Sequence, residues 1–557
     1  MNFNKLAELL YPNTTKTVED YLKIYPKRDL EEGAEVTRFA PSPTGYLHFG
    51  SFCGATMDKM LAKSSNGVFY FRLEDTDGKR TIEGADKVAL EVLKDYDISP
   101  CEGLLLEGQV GNYGPYKQSE RVEIYNAFAK RLVEIGRAYP CFCSARENKE
   151  EILKDREAQF SGDKNIETKD PCRDLTIEEV ENHLKNGDIW ALRFKSLGKD
   201  GETFKFIDVA KGERIMPKNT TDYVIVKSNG VPVYHLGHIV DDTLMHTTTV
   251  VRGNEWLGTL PLHIEMFEAL NIKPPKYMHT CLIMKKDEKT GNTRKISKRY
   301  DPEADMRFYL NQGYPIDAVN RYVMNLINSN YENWALANPT APLSEYPFNP
   351  KNLTTSDPMF DIMKLNDISK TVISLLTTDE VYNNALIWAK NYNENDYKIL
   401  TENKDMFKAV LSIDRGGERP RKDIICYSDI VKLFDYILPD FSVNLDNESL
   451  EYVKGFDSVK AIKFVEDYIK NYKICEDNSA WFNQIKEIAL NNNFADNKAY
   501  KLAPEQYVGK ISDAVQLIRL AITNRLATPE LYSIMKAIGQ EETIKRLENF
   551  INLIKQY

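Results

Sequence analysis

Residues 35–51 read EVTRFAPSPTGYLHFGS, and this stretch decides the fold. Its first six residues are typical of a short strand, and the remainder is a loop rich in proline and glycine. Apolar residues from Cys53 to Leu61 then recur at i, i+4, i+7 and i+8, the spacing of one buried helix face. Residues 68–73 form a second predicted strand. Strand, loop, helix and strand make a βαβ unit, which predicts a parallel sheet.

The rest of the chain is predicted to divide around this unit. Residues 1–33 form an N-terminal extension of unknown role. An α/β domain is expected over 34–352, with a less regular insertion at about 115–215. Residues 222–227 alternate like a strand and are interpreted as the start of a second half of the same sheet. Residues 353–557 show helical spacing with few glycines and are expected to be helical.

Composition limits the class of protein. The chain has 42% hydrophobic and 28% charged residues, as ordinary globular proteins do. No stretch approaches the roughly 18 apolar residues of a membrane span, and the first residues lack the apolar core of a secretory signal. Eight cysteines in a chain of 557 residues are not a disulfide framework. We therefore expect a cytoplasmic protein with reduced thiols, and a monomer by default.

The net charge of −10 argues mildly against a nucleic-acid partner. An acidic enzyme can still bind RNA if its basic groups gather on one face. The distribution of charge along the chain therefore matters more than the total.

The loop after the first strand is a candidate nucleotide site. Gly45 and Gly50 would let backbone N–H groups approach a phosphate closely, and His48 stands just before the helix, where it could donate to phosphate oxygens. The sequence contains no G-x-x-x-x-G-K-[ST] motif, so it is not a P-loop enzyme. The alternative is a tight turn with a hydrogen-bonded histidine.

A second motif is strongly basic. From Lys285 to Arg299 there are seven Lys or Arg residues and two acids, and the segment ends in Lys295-Ile296-Ser297-Lys298-Arg299. A mobile basic loop can close on a triphosphate and stabilise the charge that builds on leaving pyrophosphate. Taken alone, the loop would be interpreted as a solvated surface segment.

Together the two motifs resemble the paired signatures of class I aminoacyl-tRNA synthetases. His48-Phe49-Gly50-Ser51 is similar to the first signature and Lys295–Arg299 to the second. Further segments look like the glutamyl branch of the family, in the right order over about 34–370. These segments are residues 38–45, 72–77, 116–121, 138–143, 232–235, 240–242 and 252–256.

The resemblance implies a fold and an activity. It implies a Rossmann-like parallel-sheet catalytic domain with an inserted α+β acceptor-stem domain, followed by an all-helical anticodon-binding domain that begins near residues 360–366. It also implies that the enzyme activates L-glutamate with ATP, Mg²⁺ accompanying the nucleotide, and attaches it to the 3′ end of tRNA(Glu) through a glutamyl-adenylate.

Matching positions in the family imply roles for individual residues. His48 and Lys298 would be catalytic. The ATP site would contain Gly45, His48, Gly50, Lys295, Ser297 and Lys298. The glutamate site would contain Arg38, Ser42, Glu74, Tyr234, His238 and Arg252. Guanidinium groups suit a carboxylate and Glu74 suits an ammonium, although each charged residue could instead form an ordinary ion pair, and His238 could be merely packed.

Two departures from the family pattern affect these expectations little. Ser51 stands where the first signature ends in histidine, and Asn229 stands where an aspartate is usual in a turn.

Cys141, Cys143 and Cys172 are similar to part of a zinc site found in some glutamyl enzymes. A structural zinc needs four ligands, and no fourth is evident. Thr168 stands where a tyrosine ligand would be expected, and Asp174 or His183 would serve only with favourable geometry. Buried thiols without a metal are therefore expected.

Other readings remain open. Arg415, Arg419, Arg421 and Lys422 around Gly416-Gly417 could contact RNA phosphates or form a solvated loop. A glutaminyl-tRNA synthetase shares the catalytic fold but usually carries β-barrel anticodon domains. A glutamyl-queuosine type enzyme lacks the C-terminal domain. A non-catalytic tRNA-binding relative would not need both His48 and Lys298.

Overall fold

A computed structural model describes residues 2–43, 45–76, 82–143, 170–287 and 289–556. The chain forms two compact units. One comprises Met1–Phe308 and Asn320–Asp361, and the other comprises Tyr309–Val319 and Ile362–Tyr557. In the described residues, no helix is both long enough and apolar enough to cross a membrane.

The first unit contains all the strands that the structure describes. They are β1 Val36–Phe39, β2 Val68–Phe71, β3 Glu102–Leu105, β4 Gly108–Val110, β5 Ala138–Cys141, β6 Ala191–Phe194, β7 Thr203–Asp208, β8 Gly212–Pro217, β9 Val224–Val226, β10 Thr249–Gly253, β11 Lys276–Thr280, β12 Met284–Lys286 and β13 Thr293–Lys295.

Helices of the first unit flank these strands, and two of them continue into segments of the second unit. They are α1 Phe3–Leu10, α2 Val18–Ile24, α3 Phe49–Ser64, α4 Ala85–Asp95, α5 Val122–Glu134, α6 Ile177–Lys185, α7 Tyr234–Leu244, α8 Leu260–Ala269, α9 Arg307–Gln312, α10 Ile316–Ile327 and α11 Tyr331–Ala337. Short 3-10 turns occupy Leu343–Glu345 and Pro350–Asn352, after α11.

The parallel sheet predicted from the first βαβ unit is confirmed. β1 pairs in parallel with β2, and β2 with β3. β10 pairs in parallel with β11, and β11 with β7. The two halves meet where the Thr248 N–H donates to the Val36 carbonyl at 2.9 Å. The carboxyl ends of β1, β2, β10 and β11 therefore face one side of the molecule, where parallel sheets bind ligands.

One strand has a different partner from the predicted one. Residues 224–226 do form β9, but β9 pairs antiparallel with β6 in a separate sheet of order β5-β6-β9. The prediction that 222–227 begins the second half of the parallel sheet is therefore wrong. Alternation within one strand shows which face is buried but carries no information about which distant strand will pair with it.

The second unit is helical, as predicted. Its helices are α12 Ile362–Leu375, α13 Thr378–Tyr392, α14 Glu394–Glu402, α15 Lys404–Ser412, α16 Asp429–Leu433, α17 Asn447–Lys454, α18 Ser458–Asn471, α19 Asn478–Asn491, α20 Asn497–Leu502, α21 Ile511–Thr523, α22 Leu531–Ile538 and α23 Gln540–Ile554. Helical spacing is clear on α21, where Ala514, Leu517, Ile518, Ala521 and Ile522 are all fully buried in a shared core.

Candidate active site

A cavity of about 440 Å³ opens at the carboxyl ends of the parallel strands. Most of the residues predicted for ATP and glutamate lie in its wall. They are Arg38, Ser42, Gly45, His48, Gly50, Glu74, Tyr234, Arg252, Lys295 and Lys298. The structure thus brings His48 and Lys298, 250 positions apart in the sequence, to one cavity. Ser297 and His238 are not among the lining residues.

His48 is the N-cap of α3. Its Nδ1 accepts the Gly50 backbone N–H at 3.0 Å, so the remaining proton of the neutral ring is on Nε2. A side chain at Gly50 would contact this cap, because a Cβ there would lie 3.4 Å from the His48 Nδ1. The result is a helix N-terminus with an imidazole donor beside it, a suitable arrangement for a phosphate.

The charge state of His48 follows from its surroundings. Partial burial and, to a smaller extent, the positive charges of Lys298 and Lys295 together lower its pKa to about 4. The imidazole is therefore neutral at pH 7 and acts by hydrogen bonding. Its coupling to both lysines shows that the basic loop and the first loop share one electrostatic environment.

The two lysines of the basic loop that line the cavity have partners within the protein. Lys298 donates to the Tyr46 carbonyl, and Lys295 lies 3.3 Å from a carboxylate oxygen of Glu255. Arg294, by contrast, is paired with Asp301 and Asp287 at the base of the loop. The exposed lysines can exchange these contacts for a ligand, whereas Arg294 holds the loop in place.

Arg38 and Glu74 belong to a buried network of charges. Arg38 donates through Nε to Asp242 at 3.2 Å and through Nη1 to the Val251 carbonyl at 3.1 Å. Glu74 accepts from Arg72 at 3.0 Å. Burial raises the pKa of Glu74, although Arg72 and Arg38 oppose the shift. An ammonium group entering the cavity would compensate this poorly solvated carboxylate.

His238 is fully buried beneath Tyr234. Its Nδ1 pairs with Asp242 and its Nε2 lies 2.8 Å from the Tyr277 hydroxyl, so protein atoms engage both ring nitrogens. The Tyr234 ring stacks on it with an interplanar angle of 7° and a centroid separation of 5.6 Å. Of the two interpretations of His238, this geometry favours the packed histidine.

Arg252 approaches the cavity from β10 in a different setting. It meets two imidazoles, those of His263 and His279, which the sequence analysis did not single out. Trp256 was also missed as a lining residue, and its ring lies 4.3 Å from that of Tyr234. His279 is the strand partner of Arg252 on β11, a relation that appears only once the register is known.

A possible metal centre lies outside this cavity. Donor atoms of Cys141, Cys143, Asp170 and Cys172 all lie within 4.8 Å of one another. The fourth donor missing from the sequence analysis is thus Asp170. The two candidates considered for that place are not in this cluster, since Asp174 pairs with Lys195 and His183 with Asp188, whereas Asp170 lies in the cluster although it also pairs with Arg193 at 2.7 Å. Thr168 lies outside the described residues.

Known proteins share both parts of this architecture. The model of the family "tRNA synthetases class I (E and Q), catalytic domain" matches residues 35–367, and that of an anticodon binding domain matches residues 426–551. A glutamate–tRNA ligase of Acetivibrio thermocellus is 42% identical over 553 residues, which cover 99% of this chain and 100% of that protein. One from Clostridium beijerinckii is 40% identical over 561 residues, with the same coverage.

A solved structure confirms the predicted fold class. The crystal structure of a glutamate tRNA ligase from Elizabethkingia meningosepticum in complex with its amino acid superposes with a TM-score of 0.72. The match covers 94% of this chain and 100% of that chain at 24% identity, and at this identity it bears on the fold alone.

Proposed function

This chain belongs to the class I tRNA synthetases of the E and Q type, and from that premise we propose that it ligates L-glutamate to tRNA(Glu) at the expense of ATP. The observation that carries the proposal is the shared cavity. One end of this cavity is suited to phosphate and is lined by His48, Lys295 and Lys298. The other end is suited to an amino acid and is lined by Arg38 and Arg252.

The first step would join the glutamate α-carboxylate to the α-phosphate of ATP and release pyrophosphate. No protein nucleophile is required, so the protein acts by positioning and electrostatic stabilisation. The His48 Nε2–H and the N-terminus of α3 would stabilise the α-phosphate. Lys298, assisted by Lys295 and with Ser297 in the same loop, would hold the leaving pyrophosphate.

The second step would transfer glutamate to tRNA. The terminal ribose hydroxyl attacks the mixed anhydride, an ester forms, and AMP leaves. Mg²⁺ would accompany ATP on its phosphate oxygens, and the lining carboxylates Asp86 and Glu255 are oxygen donors of the type it accepts. The helical second unit would recognise the anticodon. A monomeric, cytoplasmic enzyme stays the prediction from composition.

The amino-acid end suits a substrate with two carboxylates and one ammonium. We assign Glu74 to the ammonium, with Ser42 beside it, and Arg38 and Arg252 to the carboxylates. Tyr234 would cover the aliphatic part of the substrate. His238 would support Tyr234 from below rather than contact the substrate, since its polar atoms are already bonded.

A charging assay tests the function. Purified enzyme, ATP and tRNA(Glu) should yield glutamyl-tRNA with glutamate and not glutaminyl-tRNA with glutamine. Arg252→Ala should chiefly impair glutamate use and leave the KM for ATP nearly unchanged. Preference for glutamine would favour the glutaminyl alternative, and an absence of charging with either amino acid would favour a non-catalytic tRNA-binding relative.

We further propose that Cys141, Cys143, Asp170 and Cys172 hold a structural zinc ion, which revises the expectation of buried thiols without metal. Three thiolates and one carboxylate are a suitable tetrahedral set, and the structure brings them within 4.8 Å of one another. Zinc would tie β5 to the segment that precedes α6.

Elemental analysis of chelator-washed enzyme tests this second proposal. One zinc per chain is expected, and Cys172→Ala should lose it and lower the unfolding temperature. Cys101→Ala, which alters an exposed cysteine away from the cluster, is the matched control. Metal-free wild-type enzyme of undiminished stability would contradict the proposal.

A further inference from the structure

Arg252 is anchored by imidazoles instead of a carboxylate. Its guanidinium donates through Nε to the His279 Nε2 and through Nη1 to the His263 Nδ1, both at 3.0 Å. The Tyr277 ring covers one face, with 4.6 Å between the guanidinium carbon and the ring centroid. Among the described residues, no protein atom bonds the buried Nη2 of Arg252. This nitrogen is the donor left over for a ligand.

The proton positions on the first imidazole follow from these contacts. Arginine has only donors, so Nε2 of His279 must be an acceptor and its proton must lie on Nδ1. That Nδ1 donates to Asp208 at 2.7 Å. Asp208 is itself fixed at the end of β7 by the backbone N–H groups of Ala210 and Lys211, at 2.9 and 3.0 Å. Arg252 thus donates to His279 and His279 donates to Asp208, a carboxylate that accepts from the imidazole on one side and from the backbone N–H groups on the other.

The second imidazole has the opposite tautomer. Nδ1 of His263 accepts from Arg252, so its proton lies on Nε2, which donates to the His235 Nδ1 at 2.9 Å. Burial lowers the pKa of His263 well below its ordinary value, and the charge of Arg252 lowers it further. Burial likewise lowers the pKa of His279. Both anchors are therefore neutral at pH 7.

Arg38 differs from Arg252 in the charge of its protein partner. Asp242 pairs directly with Arg38 and offsets its charge. A neutral imidazole fixes a guanidinium just as a carboxylate does but leaves the positive charge in place. In a buried setting that charge attracts a carboxylate strongly and an amide weakly. Arg252 is thus fixed in position, and in the part of the chain that the structure describes it forms no ion pair with a carboxylate.

We propose that Arg252 receives the side-chain carboxylate of the substrate, and that His263 and His279 are positioning residues that hold Arg252 without neutralising it and so set the preference for an acidic side chain over its amide. The inference rests on the proposed function, since it takes glutamate as the substrate of this cavity. Neither histidine needs to touch the substrate.

A pair of variants of nearly equal size separates charge from shape. His263→Gln keeps a neutral acceptor for Arg252, and His263→Glu replaces it with a carboxylate. The KM for glutamate should stay within about fivefold of wild type in the first variant and rise about 30-fold or more in the second. The KM for ATP should be unchanged in both. The pair His279→Gln and His279→Glu should repeat the pattern.

The control variants are His183→Gln and His183→Glu, because His183 lies outside the cavity. Both should leave the KM for glutamate unchanged. Thermal unfolding with and without ATP shows whether each variant folds. If His263→Glu or His279→Glu does not fold, nitrogen-15 NMR of the imidazoles in the wild-type protein tests the proposal instead, because it reports which ring nitrogen carries the proton. We expect the proton of His279 on Nδ1 and that of His263 on Nε2.

Equal weakening of glutamate use by the Gln and Glu variants would overturn the inference, as would the reverse tautomers or protonated rings. Those results would leave the glutamate activity of the wild type intact. Failure of the wild type to use glutamate is a different result, and it would overturn the proposed function together with this inference.

Discussion

Two loops rich in lysine and arginine have different structural roles. The loop of residues 285–299 presents Lys295 and Lys298 to the cavity, where exposed partners hold them. In the loop of residues 415–422, Arg415 turns inward and donates to the carbonyls of Leu411, Ile373 and Leu376. The comparison teaches that a count of positive charges does not predict a binding site. What decides is whether the donors are already bonded within the fold.

The second loop shows how such bonding arises. Leu411 lies near the end of α15, and Ile373 and Leu376 lie at the end of α12, where carbonyls lack intrahelical partners. One guanidinium therefore satisfies the ends of two helices and suits their negative dipole ends. Of the two interpretations of this cluster, neither a phosphate contact nor a solvated loop describes Arg415. Arg419 in the same loop is exposed.

The largest expected effect is on catalysis in the cavity that His48 and Lys298 share. Lys298→Ala and His48→Ala should each cost about 2–4 kcal/mol of transition-state stabilisation, because each removes a donor aimed at developing phosphate charge. Glutamate-dependent ATP–pyrophosphate exchange, measured with tRNA present, should fall accordingly. The unfolding temperature should hardly change in Lys298→Ala, since that side chain is exposed, whereas His48→Ala also removes the N-cap hydrogen bond of α3 and should lower it.

Arg299→Ala is the matched control for that loss, because Arg299 is the exposed neighbour of Lys298 and does not line the cavity. Near-normal exchange in Lys298→Ala or His48→Ala would defeat the assignment of the cavity. A loss as large in Arg299→Ala would indicate that the loop acts through its total charge.

The second loop should show the reverse pattern. Arg415→Ala should destabilise the helical unit by about 1.5–3 kcal/mol, the usual range for hydrogen bonds to a charged group. Arg419→Ala, the exposed control, should change stability by less than about 0.5 kcal/mol. Denaturant unfolding followed by circular dichroism measures both. Unchanged stability in Arg415→Ala, with weaker and less salt-dependent tRNA binding, would instead make Arg415 a phosphate contact.

Much of the fold was predictable because its signals are local. The strand, loop and helix of residues 35–64 follow from apolar spacing and turn residues, and the helical second unit follows from the same periodicity. The partner of β9 was not predictable, since pairing between distant strands depends on the whole chain.

The candidate site divides in the same way. His48 and Lys298 belong to recognisable motifs, and the structure brings them to one cavity. His263 and His279 belong to no motif, and they reach Arg252 only through the register of β10 with β11 and the packing of α8. Asp170 was missed because nothing in the sequence just before Cys172 indicates which side chains will lie close to it in the folded protein. Residues defined by tertiary contact alone escape sequence reasoning.

The smallest expected effect is on the electrostatic coupling between His48 and Lys298. The pKa of His48 is about 4, below its ordinary 6.5, because of burial and then the charge of Lys298. Lys298→Gln should therefore raise this pKa, and the same change at Arg415 should not move it. A proton NMR titration of the imidazoles, with His48→Gln to assign the signal, measures the shift.

The sign also fixes how stability depends on pH. Between about pH 4 and 6.5 the unfolded chain binds a proton at His48 that the folded chain does not, so this group stabilises the fold fully above pH 6.5 and progressively less as the pH falls toward 4. Lys298→Gln should raise the lower limit of this pH range, because it raises the pKa of His48 in the folded state. If the pKa of His48 is the same in Lys298→Gln and in the wild type, the loop after β1 and the loop of residues 285–299 are not electrostatically coupled. The contrast with the 415–422 loop would then depend on geometry alone.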